Sequence, residues 1–423
     1  MLYYLIAVTG GLIVAALLSG LLYGFVDRSY DRFGRRTMHI GLIVGALAAV
    51  AMAYLKNKTS LIHTGIWNLR IFGTATAALL IFLIFLIPAL RRARPRFSRS
   101  VLCVTASLMA ALLLFYSLPD VYAYPFIFRK LYSETVFSTS FLTRFSGYLL
   151  GLILMLLCFF AARYTAEKSE EKTANILTVL ALFSNAAQQI GKIIATMLTR
   201  RFIPAKHPLY HQFFQIAKFT SNHSNLFIYL VVFFCVLLAL ILILRSLHVH
   251  ETYENSAQHR KIRAKWRSCR RWAALLLGCC ACGVFIMTVL YAIENKPPEL
   301  AVAEEYAIEN EEIYIAFSQV DDGNLHRFAY TTPNGIETRF IVIKKPNSSA
   351  YGIGLDACDI CGQTGYYQRG DQVVCNRCDV VMNINTIGFK GGCNPIVIDY
   401  SVSDGYIIVP TATLIEHEKE FKK

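Results

Sequence analysis

Stretches of about twenty consecutive apolar residues constrain this chain more than any other feature. A helix needs about 20 such residues to cross the hydrocarbon core of a bilayer. Backbone groups in lipid must bond within their own segment, so each stretch predicts a membrane-spanning helix. The sequence therefore predicts a polytopic α-helical bundle of about eight spans. The stretches lie roughly at 2–26, 37–54, 71–90, 101–118, 146–163, 174–198, 225–245 and 272–292.

The loops between these stretches differ in their content of Lys and Arg. The most basic are DRSYDRFGRR after the first stretch, RRARPRFSRS after the third and RSLHVHETYENSAQHRKIRAKWRSCRR after the seventh. With eight spans these three loops share one side of the membrane, and the positive-inside rule makes that side cytoplasmic. Both termini are then expected on the opposite, extracytoplasmic side. The first stretch lacks a basic n-region, so we expect it to be retained as a span.

Charge divides the chain into two expected domains. Residues 1–292 carry 31 Lys and Arg against 9 Asp and Glu, whereas residues 293–423 carry 11 against 19. The basic excess lies in membrane loops, where it orients helices, and it does not point to nucleic acid. We therefore expect a helical bundle over 1–292, in contact with membrane lipid, followed by an acidic domain over 293–423.

The acidic domain has the sequence pattern of a small, mostly β fold. The text HRFAYTTPNGIETRFIVIKK predicts a hairpin around Pro333, Asn334 and Gly335. GYIIVPTATL predicts a late strand, whereas the acidic segment AVAEEYAIENEEIYIAFSQVDD is compatible with helix or strand. The expected architecture is thus a β-rich domain with its cysteines on loops.

Five cysteines of this domain form the strongest chemical motif in the chain. Two Cys-x-x-Cys pairs with thirteen residues between them predict a tetrahedral four-thiolate site. Such a ligand set suits zinc or an iron–sulfur cluster, and two disulfides are the non-metal alternative. A closed zinc site needs four ligands, so the fifth cysteine favours a centre with a spare thiolate. The candidate ligands are Cys358, Cys361, Cys375, Cys378 and Cys393.

The cysteine region, CDICG…GY…CNRC…GGCNPI after a set of membrane helices, resembles the FtrD-like membrane iron–sulfur protein family. The resemblance covers about residues 300–415. It implies that the five cysteines hold an iron–sulfur centre in a membrane protein of bacterial iron uptake. It also implies a bacterial inner-membrane location, a periplasmic iron-binding protein and an iron permease as partners, and electron transfer as the role. The competing hypothesis is a structural zinc module that docks a transporter.

The expected location creates a problem for cluster assembly. An extracytoplasmic domain is threaded through the membrane unfolded, and a preassembled cluster cannot pass that way. Zinc, copper or iron ions can bind afterwards. A cluster therefore requires either the opposite topology or assembly outside the membrane.

Two further polar groups are weaker candidate sites. Four residues of the sixth stretch share one helical face and suit either a pocket for an electron donor such as a quinone or hydrogen bonds between helices. They are Asn185, Gln188, Gln189 and Lys192. In KHPLYH, His207 and His211 are one turn apart if a helix starts at Pro208, which would suit a metal site in an outer loop.

The sequence argues against two other functions. It has no P-loop, Rossmann fingerprint, nucleophile elbow or zinc-protease motif, so neither a hydrolase nor an NTPase is expected, and an electron-transfer role stays open. All nine acidic residues of 1–292 fall outside the predicted spans. A cation channel usually needs anionic groups within the bilayer, so a partner permease is more plausible than conduction by this chain.

Overall fold

The computed structural model describes residues 1–29, 32–59, 62–132, 139–204, 206–248, 251–294, 300–346, 348–370, 372–377, 380–389 and 393–422. The chain forms two compact units, Met1–Glu294 and Asn295–Lys423. The first is a bundle of helices and the second is mostly β, as predicted.

The first unit consists of long helices joined by short connections. They are α1 (Leu2–Ser29), α2 (Arg32–Lys58), α3 (Thr64–Leu86), α4 (Pro88–Ala93), α5 (Pro95–Tyr132), α6 (Thr139–Lys168), α7 (Glu171–Thr199), α8 (Tyr210–Asn222), α9 (Ser224–Leu247), α10 (Ser256–Phe285) and α11 (Tyr291–Glu294). A π-helical turn, Ile286–Leu290, joins α10 to α11. Within the described residues, seven helices are long and apolar enough to cross a membrane: Leu2–Arg28, Arg32–Asn57, Thr64–Leu86, Pro95–Pro125, Phe141–Lys168, Ser224–Leu247 and Ser256–Glu294.

The count of about eight apolar spans therefore needs one correction, at α7. This helix has 29 residues, enough to span, but its amide side chains make it less apolar than the other seven. It nevertheless runs alongside them. Asn175 near its start accepts a hydrogen bond from Arg28 at the end of α1, and Gln188 donates to the carbonyl of Ser224 at the start of α9. We therefore describe α7 as a member of the bundle in which polar side chains interrupt a largely apolar sequence.

Small residues allow α1 and α6 to pack closely. A Cβ atom added to Gly20 would lie 2.9 Å from the Cβ of Ala162, and one added to Gly24 would lie 2.7 Å from that of Ala166. Both pairs are four residues apart, so they form matching small patches on the two helices. Such patches let backbones approach closely where lipid supplies no hydrophobic drive between helices.

The spanning helices extend past the predicted apolar stretches and therefore include three of the nine acidic residues of 1–292. Asp27, Asp120 and Glu167 fall inside apolar spanning helices, close to their ends. The side chain of Asp27 is only 6% exposed and lies 2.6 Å from the guanidinium of Arg163 on α6. Asp120 pairs with Lys56 at 2.5 Å. The buried Asp27–Arg163 pair therefore links α1 to α6, whereas Asp120 is 62% exposed and its pair with Lys56 contributes little to stability.

The second unit contains three small antiparallel sheets. Their strand orders are β1-β2-β10-β9, β3-β4-β5 and β6-β7-β8. The strands are β1 (Ala307–Glu309), β2 (Glu312–Ala316), β3 (His326–Thr331), β4 (Glu337–Lys344), β5 (Tyr351–Leu355), β6 (Tyr366–Arg369), β7 (Gln372–Cys375), β8 (Val381–Met382), β9 (Ser401–Ser403) and β10 (Tyr406–Pro410). Short helices α12 (Phe317–Val320) and α13 (Thr411–Glu416) and two 3-10 turns, Ile384–Thr386 and Glu418–Phe421, complete it.

The predicted hairpin is confirmed as β3 and β4. Its strands pair from Thr331 opposite Glu337 onward, and the amide of Thr332 donates to the carbonyl of Ile336 at 2.9 Å. Gly335 has φ +75°, a left-handed conformation that glycine adopts at no steric cost. The Pro-Asn-Gly turn therefore sets the register of both strands.

The acidic segment and the predicted late strand pair with each other in the first sheet. The acidic segment forms the hairpin β1–β2, in which Asn310 and Glu311 both have positive φ, followed by α12. The late strand is shorter than predicted, because it ends at Pro410 and residues Thr411–Glu416 are helical. Proline cannot donate to a sheet ladder and suits a helix start, which explains the change at this point.

Candidate metal centre

The first Cys-x-x-Cys pair lies on a tight loop that follows β5. The amide of Gly362 donates to the carbonyl of Cys358 at 2.9 Å, and the amide of Cys358 donates back at 3.2 Å. Gly362 has φ +68°, so a glycine directly after the second cysteine permits the reversal. The amide of Cys361 also donates to the Sγ of Cys358 at 3.1 Å. The loop thereby places the Sγ atoms of Cys358 and Cys361 close enough together to bind one metal ion.

The third cysteine arrives from the third sheet. Cys375 is the last residue of β7 and pairs with Tyr366 of β6. The Sγ atoms of Cys358, Cys361 and Cys375 lie within 4.8 Å of one another, and all three residues are at most 5% exposed. Among the described residues, this is the group of cysteine, histidine and carboxylate side chains placed to hold a metal ion. Thiolates are ligands for zinc, copper(I) and iron.

The two other predicted ligands have different positions. Cys378 lies outside the described residues. Cys393 is partly buried beside the same hydrophobic cluster but does not belong to the three-sulfur group. Its carbonyl accepts a hydrogen bond of 2.6 Å from the phenol of Tyr366. The structure thus brings three of the five predicted cysteines together and holds a fourth nearby through its backbone.

A buried ion-pair network fixes the base of this site. Asp356 is fully buried two residues before Cys358, and its Oδ2 lies 2.9 Å from Nε of Arg327 and 3.3 Å from Nε of Arg339. Its Oδ1 accepts from the amide of Tyr366 at 2.8 Å. One buried carboxylate thus ties Arg327, Arg339 and the start of β6 together directly before the first cysteine pair.

These supporting residues were missed by sequence reasoning, although one signal was present. The hairpin turn sets Arg327 opposite Ile341 and Ala329 opposite Arg339. Side chains two residues apart on a strand share a face, so the two arginines had to lie on one face of the sheet. A buried acidic partner for them was a reasonable inference, but its identity depends on contacts across sheets.

Tyr366 connects the ion-pair network to the sulfurs. Its side chain is 1% exposed and makes a hydrogen-bonding contact with Cys358 in addition to its bond to the carbonyl of Cys393. Burial raises the pKa of Tyr366 above its usual value, and the adjacent Cys358 side chain raises it further. The phenol therefore stays protonated at neutral pH and donates its single hydrogen to the carbonyl of Cys393.

The polar residues of α7 contact different neighbours. Gln188 donates to the carbonyl of Ser224 on α9, and Lys192 lies 3.4 Å from the hydroxyl of Tyr116 on α5. Asn185 and Gln189 line a cavity of about 20 Å³ between α3, α5 and α7. That volume holds about one water molecule, and the contacts of Gln188 and Lys192 join helices.

The two outer-loop histidines are both exposed. The Nδ1 of His207 accepts a bond from the amide of Leu209 at 3.1 Å, and the Nε2 of His211 lies 3.4 Å from the side-chain nitrogen of Gln215. Helix α8 starts at Tyr210 rather than at Pro208. His207 therefore precedes the helix, and the two rings do not share its regular one-turn spacing. A metal role for them stays a prediction.

Taken together, the described residues define a multi-pass membrane protein whose mostly β C-terminal domain carries a buried group of three cysteines. Residues 320–421 match the model of a family described as membrane iron-sulfur containing protein FtrD-like. This match confirms the resemblance expected from the cysteine region, and it contains all five candidate cysteines. No curated protein and no solved structure matches the chain.

Proposed function

We propose that this protein is a membrane-anchored iron–sulfur redox component of a bacterial iron-uptake system. The observation that carries the proposal is the buried group of Cys358, Cys361 and Cys375 within the segment that matches the FtrD-like family. Its electrons would pass to or from iron handled by a periplasmic binding protein and a permease. Thiolate-bound iron supplies one-electron chemistry when present.

The residues of this chain have separate tasks in such a centre. Cys358, Cys361 and Cys375 would bind the metal, and Cys378, which completes the second Cys-x-x-Cys pair, is the proposed fourth ligand. The amide of Cys361 stabilises negative charge on the Cys358 sulfur by its hydrogen bond. This bond would raise the reduction potential of a bound iron, because it stabilises the reduced, more negatively charged state of the centre.

Charge supports an extracytoplasmic position for the C-terminal domain. If α7 crosses together with the seven apolar helices, the basic connections that follow α1, α3 and α9 share one side of the membrane. The positive-inside rule assigns this side to the cytoplasm, and the last helix then ends at Glu294 on the opposite side. We accordingly propose an inner-membrane protein whose metal domain faces the compartment where external iron arrives.

A structural zinc site is the second candidate. The closed Cys358–Gly362 loop and the buried sulfurs also suit a zinc ion that never changes its oxidation state. In that case the domain would be an interaction module that docks a transporter. The charged and polar contacts around the sulfurs would then serve stability alone.

Spectroscopy of the purified full-length chain separates the two functions. Protein isolated under anaerobic conditions is expected to be coloured, and its visible absorption should change on reduction with dithionite and return on oxidation. The variant Cys358→Ser should lose this signal, whereas Cys282→Ser, at an exposed position on α10, should keep it. A colourless protein with bound zinc would overturn the redox function and favour the docking module.

In cells, the same pair of variants tests the link to iron. Cys358→Ser should reduce uptake of radiolabelled iron at equal protein abundance, and Cys282→Ser should not. Unchanged uptake in Cys358→Ser would remove the proposed role in iron acquisition even if the purified protein is redox-active.

A further inference from the structure

The spacing of the three sulfurs carries information about how many metal ions they hold. In a tetrahedral site with metal–sulfur bonds of about 2.3 Å, two ligand sulfurs are about 3.8 Å apart. The Sγ atoms of Cys358, Cys361 and Cys375 all lie within 4.8 Å of one another. Small side-chain rotations therefore suffice to bring the three onto a single ion.

A multi-iron cluster requires a different spacing. Four cysteines serve two or four irons, so at most two of any three share an iron. The third sulfur is then separated from the others by two metal–sulfur bonds plus the distance between the irons, roughly 6 Å. Cys375 would have to move away from both residues of the first pair.

The surrounding structure opposes such a movement. Cys375 ends a strand that pairs with Tyr366, and the carbonyl and amide of Tyr366 are held by Arg327 and Asp356. The first pair is closed by the two bonds between Cys358 and Gly362. Both sides of the site are therefore fixed by buried contacts, and the distance between them is set by the fold.

From this geometry we infer that the centre holds one metal ion bound by thiolates, with Cys393 outside its ligand set. The identity of the ion as iron rests on the proposed function. The number of ions in the site does not. A single iron still cycles between two oxidation states and transfers one electron. It also removes the assembly problem, because a bare ion can bind after the domain has crossed the membrane, with no sulfide to be built in.

Chemical analysis of the full-length protein in detergent tests the inference. Iron, zinc and acid-labile sulfide are measured per chain after anaerobic purification. We expect one metal ion per chain and no acid-labile sulfide. Two or more irons with a matching amount of sulfide would overturn the single-ion centre while leaving the redox function intact.

The same measurement reports separately which metal is bound and how many ions each chain holds. One zinc ion without iron would support the single-ion site and overturn the proposed redox function. The variant Cys393→Ser is expected to keep the ion at wild-type stoichiometry, whereas Cys361→Ser should lose it. Loss of the ion from Cys393→Ser, with the wild-type thermal unfolding of the bundle retained, would overturn the exclusion of Cys393.

Discussion

At the scale of single residues, Tyr366 links the strand that carries Cys375 to the segment that carries Cys393. Its phenol bonds to the carbonyl of Cys393 at 2.6 Å. Tyr366→Phe keeps the ring and removes that bond, so it should weaken the domain by about 1 kcal/mol. It should also speed the labelling of Cys393 by iodoacetamide.

The control for this prediction is Tyr400→Phe, because Tyr400 is exposed. This variant should label Cys393 at the wild-type rate. Equal labelling rates in Tyr366→Phe and the wild type would show that the phenol does not hold the Cys393 segment.

Asp356 is expected to be the most sensitive position of the charged network. Asp356→Asn removes the charge that faces Arg327, a residue only 3% exposed, and leaves this buried guanidinium without compensation. Breaking a buried pair in this way costs about 3–5 kcal/mol. The temperature at which the protein releases its metal should therefore fall sharply.

Glu337→Gln is the matched comparison for that variant. Glu337 lies 3.6 Å from Arg339, but its side chain is 60% exposed, so its loss should cost about 0.5 kcal/mol or less. Metal release at the same temperature in both variants would contradict the importance assigned to the buried carboxylate.

His326 supplies a pH-dependent contact between β3 and the segments before it. Its two ring nitrogens lie 2.8 Å from Glu304 and 2.7 Å from Asp322. The hydrogen bond from His326 lowers the pKa of Asp322 to about 2. A carboxyl group with a lowered pKa stabilises the fold above its unfolded pKa of about 3.9 and loses this contribution as the pH falls towards 2.

Asp322→Asn should therefore destabilise the domain near neutral pH and have little effect near pH 2. Because the side chain is 49% exposed, solvent screening limits the cost at neutral pH to about 1 kcal/mol or less. Chemical unfolding at both pH values measures the difference, with exposed Asp399→Asn as the control. A cost that does not change with pH would contradict the ion-pair explanation.

At the scale of elements, the contact between α1 and α6 depends on the absence of side chains. Gly24→Ala places a Cβ 2.7 Å from that of Ala166, so the helices must separate. Overpacking of this kind costs about 1–3 kcal/mol. Gly10→Ala on the same helix meets no atom within 4 Å and should be neutral or slightly stabilising. Thermal unfolding in detergent should rank the two variants in this order.

The helices and strands that the sequence predicts are those with a local signal. The length of apolar runs predicted the spanning helices, and Pro333-Asn334-Gly335 predicted the β3–β4 hairpin, because each signal is local. The helical end of GYIIVPTATL was missed because alternation of apolar residues outweighed Pro410 in the prediction. The network of Asp356, Arg327 and Tyr366 was missed because it joins strands whose pairing no local pattern fixes.

At the scale of the whole molecule, the orientation depends on α7 crossing the membrane despite its polar residues. If it crosses, the C-terminus is extracytoplasmic. Alkaline phosphatase fused after the last residue should then be active, and green fluorescent protein at the same place should be dark. A fusion after Leu247, next to the basic connection before α10, should give the reverse pattern. Fluorescence from the C-terminal fusion would place the metal domain inside.

The three cysteines of the site are carried by two different sheets. Cys358 and Cys361 follow β5 of the second sheet, whereas Cys375 ends β7 of the third. A bound ion therefore acts as a cross-link that closes a loop of thirteen residues, worth about 3 kcal/mol if it constrains the chain as a disulfide would. Without the ion, the small third sheet loses this tie, and proteases gain access to residues 362–374. The lifetime of the domain in the cell would then be governed by metal supply, so the abundance of the protein would itself follow the supply of the bound metal.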